Sequence, residues 1–394
     1  MSTLRRKRKK WLFRTPRFFD FFRRNTEAVA FHGNKVTLFR HGSDFFPALL
    51  HAIGEAKNFI CMEFYTICDD STGTAVADAL IAAVRRGVDV FLIYDHIGSF
   101  DTPASFFRRL QRGGVHCTAF NPLFSRGVAW FDKRNHRKVA IIDGTCAFTG
   151  GLNIADSYAG CGELLQRWRD VGIMIEGKAV RELLRLFCET WQHERGFVPE
   201  GCVGAPVVEP PGDARVMVIS GGPHQKRSFI RSAFRVAIAG ASESITLATP
   251  YFIPGPIVIR SLLRAAARGV RVRLLLPYKI DVPLVRLVSR TYYAQLLKGG
   301  IEIFELSAAV LHAKVLLIDD CWAMVGSANL DQRSFHRNYE LNVVVDSLDF
   351  GSQVAEMLGN DLRTAKRIAL HEHEKRGYLV RTLERLFTPV SWFL

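Results

Sequence analysis

The sequence predicts an α/β protein made by internal duplication. Two equivalent α/β domains with mixed sheets meet at a pseudo-two-fold interface that holds one shared site. Three observations predict this. Apolar runs of strand length alternate with segments of helical apolar spacing through both halves. The helix-to-strand junction RRGVDVFLIY recurs as ARGVRVRLLL, and GGV at 113–115 recurs as GGI at 299–301. Finally, RNHRKVAIIDGTCAFTGGLN at 134–153 is repeated in pattern by VLHAKVLLIDDCWAMVGSANL at 310–330. In both copies Lys follows His by two, Asp by seven, Gly by fourteen and Asn by seventeen. The matched residues are His136, Lys138, Asp143, Gly150 and Asn153, then His312, Lys314, Asp319, Gly326 and Asn329. A fixed set of offsets carried twice marks a duplicated structural unit.

In chain order, KVTLF (35–39) and FICMEFY (59–65) read as strands, and TAVADALIAAVRR (74–86) as a helix. VDVFLIYD (88–95) is a buried strand. A helix near 103–112, the strand VHCTAF (115–120), the motif strand RKVAII, the short strand AFTG and DVGIMIEG (170–177) follow. A helix over 178–194 closes the first half. GFVPEGCVGAPVVEPPGD (196–213) has four prolines, four glycines and no period, and reads as a linker. The second half repeats the order: VMVIS, a helix at 227–239, SITLATPYF, a helix at 256–268, VRVRLLLP, a helix at 283–298, IEIFEL, KVLLI, WAMVG and ELNVVVD. The expected domains are therefore 34–195 and 214–350. A basic, aromatic segment at 1–33 precedes them and a helical, partly apolar tail at 351–394 follows.

The 394 residues suffice for two cores, and 48% apolar with 23% charged residues is ordinary for a globular chain. The net charge of +15 is not, and residues 1–24 alone contribute nine of it. Such a balance implies an anionic partner, either nucleic acid or an anionic membrane surface. The eight cysteines form no CxxC pair, so no zinc site is expected, and they read as reduced core residues. No apolar run reaches the ~18 residues that a membrane-spanning helix needs, and no signal peptide is expected.

Side chains alternate along a strand, so His136 and Lys138 share a face, as do His312 and Lys314. Two such pairs brought together repel unless an anion lies between them, and phosphate is the natural anion. One His can attack phosphorus while the other protonates the leaving oxygen. The lysines, with Asn153, Asn329 and Ser327, can hold the non-bridging oxygens. The lysines supply the positive charge, so no metal or other cofactor is expected. Asp143 and Asp319 complete the motif with the opposite parity. They fall at tight turns, where Asp supports the strand end and its backbone. A working imidazole needs an orienting acceptor. Asp170 and Glu340 open the strands after each motif, which pairs Asp170 with His136 and Glu340 with His312. Glu63, Tyr65 and the repeat counterpart assigned to it, Tyr251, end equivalent strands and are candidate pocket residues.

The doubled HxKxxxxD motif, each copy followed by a G-x-x-N turn, resembles the phospholipase D superfamily over about residues 34–350. Flanking segments such as ICMEFYTICDD, WRDVGIMIEG, ATPYFIPG, WAMVGSANLDQRSF and NYELNVVV resemble bacterial cardiolipin synthases of the short type without transmembrane helices. The resemblance implies transfer of a phosphatidyl group from one phosphatidylglycerol to another through a phosphohistidine, with His136 as nucleophile and His312 as acid and then base. It implies a phospholipid substrate, and a peripheral position on the cytoplasmic face of a bacterial inner membrane. Nucleic acid is the less expected partner. In that light the aromatics Trp11, Phe13, Phe18, Phe19, Phe21 and Phe22, interleaved with basic residues, read as a contact with an anionic bilayer. FSRGVAWFDKRN and the C-terminal YLVRTLERLFTPVSWFL read as further contacts, and HEHEKR (371–376) as a solvated face. Hydrolysis of a lipid or nucleic acid phosphodiester, phosphatidylserine synthesis, and a non-catalytic membrane adaptor are the alternatives.

Overall fold

A computed structural model describes residues 15–123, 125, 131–160, 168–199, 202 and 209–376. The first half runs α1 (Pro16–Thr26), β1 (Ala30–Phe39), α2 (Gly42–Glu55), β2 (Phe59–Phe64), α3 (Ser71–Arg85), β3 (Asp89–Asp95), α4 (Ala104–Arg112), β4 (His116–Phe120), β5 (Val139–Ile142), β6 (Cys146–Gly150), α5 (Asp156–Ala159), β7 (Trp168–Arg169), β8 (Gly172–Glu176) and α6 (Val180–Arg195). The second runs β9 (Ala214–Gly221), α7 (Phe229–Gly240), β10 (Ser244–Ala248), α8 (Gly255–Ala267), β11 (Arg271–Pro277), α9 (Pro283–Thr291), α10 (Tyr293–Lys298), β12 (Glu302–Leu306), β13 (Val310–Leu311), β14 (Val315–Ile318), β15 (Trp322–Gly326), α11 (Gln332–His336), β16 (Glu340–Asp346), α12 (Leu348–Thr364), β17 (Lys366–Arg367) and α13 (Leu370–Glu374).

The duplication is written in the strand order. From its centre outward, the main sheet reads β1-β8-β6-β5-β2-β3-β4 on one side. On the other it reads β9-β16-β15-β14-β10-β11-β12, with β17 added at the edge. Each strand of one list is the repeat of its partner in the other. The halves join where β1 pairs antiparallel with β9, Ala30 opposite Met217 and Phe31 opposite Val216. β2, β3 and β4 run parallel, as do β10, β11 and β12, while β5 and β14 run against them. The sheets are mixed, as expected.

The central strands are buried on both faces, which explains their unbroken apolar runs. Alternate residues feed different cores. In β5, Val139 and Ile141 pack with α6 and with the second half, while Ala140 and Ile142 pack under α2, α3 and α4. In β14, Val315 and Leu317 join that shared core, while Leu316 and Ile318 pack under α7 and α8. One core thus spans both halves, flanked by a separate outer core on each side. Side chains fix the helix starts: Asp70, Ser228, Asp331 and Ser347 accept from backbone N–H groups in the first turns of α3, α7, α11 and α12.

Several expectations change. The helix at 283–298 is two helices, broken at Tyr292. α12 runs across the boundary drawn at 350 and packs on β1, β15 and β16, so it belongs to the body of the fold. α1 is also integral. Phe22 is 0% exposed, edge-on to Trp322 at 5.7 Å, and Phe18 is buried beside it. The Arg215 guanidinium covers Phe19 at 3.9 Å. These three rings are engaged by the protein, and Phe21, 49% exposed, remains open. The reason is spacing: Phe18 and Phe22 lie one helical turn apart and form an apolar stripe that the open face of α7 accepts. In HEHEKR, His373 is buried and stacked on Tyr293, while His371 faces solvent. Trp11, Phe13, Cys161, eight of the eighteen linker residues and the C-terminal YLVRTLERLFTPVSWFL lie outside the described residues. No described helix is long and apolar enough to cross a membrane.

Candidate active site

The two motifs enter the site by the same device. Each segment ahead of a His–Lys pair forms a parallel bridge with the segment ahead of the other half's acid. Asn135 bridges Tyr339, and the His136 N–H donates to the Tyr339 carbonyl at 2.9 Å. β13 pairs with β7, and the His312 N–H donates to the Arg169 carbonyl at 2.9 Å. Glu340 follows Tyr339 and Asp170 follows Arg169, so each half delivers its acid to the opposite histidine.

The acid–histidine pairing is therefore crossed. His136 Nδ1 lies 3.1 Å from both oxygens of Glu340, and His312 Nδ1 lies 2.6 Å from Asp170 Oδ2. This corrects the within-half pairing expected from the sequence. The acids are the right ones and the partners are exchanged, because equivalent edges meet across the pseudo-two-fold axis.

The supports of the acids differ. Ser327 donates its hydroxyl to Glu340, so that hydroxyl serves the carboxylate rather than a phosphate oxygen. The equivalent position holds Gly151, where a Cβ would come within 2.1 Å of Asp170 Oδ1. Glu340 with Ser327, and Asp170 with glycine, are two fillings of one space.

Electrostatics follow from burial. Burial alone would raise Glu340, but His136, Lys138 and the Ser327 hydroxyl hold it down at about 2. Burial pushes Asp170 up to about 6 against the pull of Lys314 and the Val171 N–H. Burial and the nearby ammonium of Lys314 lower Lys138 to about 7, and burial lowers Lys314 to about 8. Both histidines are lowered by burial, His312 the further, with Lys314, Lys138 and His136 all opposing its protonation. The two His–Lys pairs thus lie within electrostatic reach of one another, in a place that disfavours their combined charge. An anion among them removes that penalty.

Local contacts fix each ring. Tyr65 meets His136 edge-on at 4.9 Å and lies under Lys138. Lys138 donates to the His136 carbonyl at 2.8 Å. Lys314 lies against the His312 ring, 2.7 Å from Nδ1, and donates to the His312 carbonyl. Trp168 and Tyr158 enclose His312 at 4.5 and 5.4 Å between ring centres, contacts that sequence reasoning missed. Also missed was Asp95, which accepts from the Asn135 N–H at 2.8 Å and lies near Arg134. Asn135 in turn donates to the fully buried Glu63, so Glu63 braces the first motif. A lone acid closing an apolar strand, as in FLIYD, was the available signal.

Asn153 accepts from the Thr66 N–H and donates to the Tyr158 hydroxyl. Asn329 Oδ1 is buried with no partner among the described residues. Tyr251 donates to Asp281 at 2.6 Å. Its counterpart is Thr66 rather than Tyr65. The Thr66 carbonyl accepts from Ile154 as the Tyr251 carbonyl accepts from Leu330, which fixes the register.

Asp143 and Asp319 lie away from the histidines, at the far ends of the four-residue strands β5 and β14, roughly 13 Å along each. Asp143 accepts from the N–H groups of Lys57, Asn58 and Phe59, and Asp319 from those of Ser242, Glu243 and Ser244. Both sit in left-handed backbone, φ 52° and 50°, at hairpin turns where Asp is tolerated. They tie each motif hairpin to the start of its neighbouring strand.

At the histidine end, the loops after β3 and β11 and the loop leading to the first motif carry exposed apolar side chains. Phe100, Phe131, Tyr278 and Val282 are the ones among the described residues.

The model of a family described as "Cardiolipin synthase, PLD-like domain" matches residues 49–191 and 234–362. Cardiolipin synthase 2 of Bacillus cereus is 36% identical over 371 residues, covering 92% of this chain and 71% of that protein. Cardiolipin synthase A of Pseudomonas syringae pv. syringae is 35% identical over 374 residues, covering 93% and 76%. Among solved structures, the phosphatidylserine synthase of Haemophilus influenzae superposes with a TM-score of 0.73 at 13% identity, covering 95% of this chain and 99% of that one. At that identity the match speaks for the fold. The family model, its two matched segments and these relatives show that the chain belongs to the cardiolipin synthase family with phospholipase-D-like domains.

Proposed function

We propose that this protein is a phosphatidyltransferase that makes cardiolipin from two molecules of phosphatidylglycerol and releases glycerol. One observation carries the reading: two His–Lys pairs, one from each half, converge with exchanged acids on one buried point, in a chain of the cardiolipin synthase family.

The chemistry follows from the supports. His136 is kept neutral by burial, and Glu340 holds its Nδ1–H, so Nε2 presents a lone pair to phosphorus. Attack forms the N–P bond as the P–O bond to glycerol breaks. His312 gives its proton to the departing glycerol oxygen. It carries that proton once the anionic phosphate offsets Lys138 and Lys314. In the second step His312 takes the proton from a hydroxyl of the second phosphatidylglycerol. The new P–O bond forms as the bond to His136 breaks. Lys138 and Lys314, with the amides of Asn153 and Asn329, hold the non-bridging oxygens through both steps.

The substrate is a lipid, so the protein works at a membrane surface. We infer peripheral association with the cytoplasmic face of a bacterial membrane. The exposed Phe100, Phe131, Tyr278 and Val282 at the histidine end suit entry of a lipid headgroup. The test is product analysis from phosphatidylglycerol vesicles by mass spectrometry. Cardiolipin and glycerol from the intact protein, and neither from His136→Ala or His312→Ala, support the reading. Phosphatidic acid as the sole histidine-dependent product assigns the acceptor role to water and overturns it.

A further inference from the structure

Away from the histidines, α1, α7 and α8 enclose a cavity of about 250 Å³. Phe21, Arg235, Val236, Ala239, Ser261, Arg264 and Arg268 line it. Its composition is one-sided. Neither α7 (FIRSAFRVAIAG) nor α8 (GPIVIRSLLRAAA) contains an acid, and together they carry four arginines, with Arg268 just beyond α8. α1 adds Arg17, Arg23 and Arg24 against Asp20. Arg235, Arg264 and Arg268 form no ion pair among the described residues. Arg268 donates to the carbonyls of Ile238, Ala239 and Ala241, which fixes it at the end of α7. Arg235 reaches Asn25 at 3.3 Å. Between these cations the lining is apolar, from Val236, Ala239 and the half-exposed Phe21.

An apolar trough rimmed by guanidinium groups without carboxylates is complementary to an anionic amphiphile. Guanidinium binds phosphate through paired N–H donors, and the trough receives the start of an acyl chain or the glycerol backbone. We propose that this cavity is a second binding site for an anionic phospholipid, separate from the catalytic one. Its phosphate lies on Arg235 and Arg264, and its apolar part lies against Phe21, Val236 and Ala239. The proposal rests on the reading above only in taking the protein to meet a bilayer.

The test uses the full chain and vesicles of phosphatidylcholine with or without phosphatidylglycerol, measured by cosedimentation. Arg235→Glu/Arg264→Glu should weaken binding to the anionic vesicles by about tenfold or more, since each basic residue at such a surface contributes about a factor of five. Ala239→Phe, which fills the trough and keeps every charge, should weaken it several-fold as well. Histidine-dependent turnover of phosphatidylglycerol in detergent micelles should be unchanged in both variants, which also shows that they fold. If charge reversal weakens binding while Ala239→Phe does not, a diffuse field replaces the site and the proposal fails. Unchanged vesicle binding in both variants also overturns it. So does a loss confined to the binding of short DNA. Absence of cardiolipin from the intact protein would count against the catalytic reading alone, because vesicle binding is scored separately.

Discussion

Replacing Glu340 by Gln tests the crossed pairing. Gln keeps the shape and removes the charge that His136 faces at 3.1 Å. The surroundings hold the carboxyl at about 2 instead of its ordinary 4.5. That difference corresponds to ~3 kcal/mol of preference for the ionised form. If the transition state keeps that stabilisation, its loss lowers turnover by about two orders of magnitude. The same carboxylate raises the pKa of His136 against burial, so Glu340→Gln should lower it further. Asp170→Asn should instead perturb His312, whose Nδ1 it holds at 2.6 Å. The assay is NMR of histidines labelled with carbon-13, assigned through His136→Ala and His312→Ala, alongside initial rates. Signals of His136 should move in Glu340→Gln and those of His312 in Asp170→Asn. The reverse assignment would restore the within-half pairing and refute the geometry argued above.

Three further predictions concern the site and the motif hairpin that carries it. Gly151→Ala puts a methyl group where Asp170 Oδ1 now stands, so turnover should fall by at least tenfold while urea denaturation shows the fold retained. Asp143→Ala strips three backbone N–H groups of their acceptor and leaves Ala in left-handed backbone. Stability should drop by about 2–4 kcal/mol in urea melts, with turnover per folded molecule nearly intact. Lys138 and Lys314, lowered by burial to about 7 and 8, should regain protons when phosphate binds between them. Calorimetry in buffers of different ionisation enthalpy should then show proton uptake near pH 8, and affinity should fall as pH rises above that.

The succession of strands and helices and both motifs were legible because duplication wrote them twice. The unbroken apolar runs, the DG turn and the His-x-Lys parity are local patterns, and local patterns survive in sequence. The exchange of Asp170 and Glu340 was not legible. It depends on Asn135 bridging Tyr339 and on Leu311 pairing with Arg169, contacts across about 140–200 residues that no periodicity encodes. Trp168 and Tyr158 around His312 escaped notice for the same reason. Phe18 and Phe22 misled because an amphipathic helix with a basic face suits a bilayer and the apolar face of α7 equally well. Only packing against Trp322 and α7 decides between them. Tyr251 was matched to Tyr65 by residue type, whereas the hydrogen-bond register matches it to Thr66.

The measurement that reaches the centre of the account is capture of the covalent intermediate. Phosphatidylglycerol labelled in its phosphate is mixed with the intact protein and with His312→Ala, quenched with base, and the peptides are mapped. The account predicts label on the peptide carrying His136 in the intact protein and none in His312→Ala, which lacks the acid that lets glycerol leave. No label on either histidine while cardiolipin still forms, or label on His312, would contradict it.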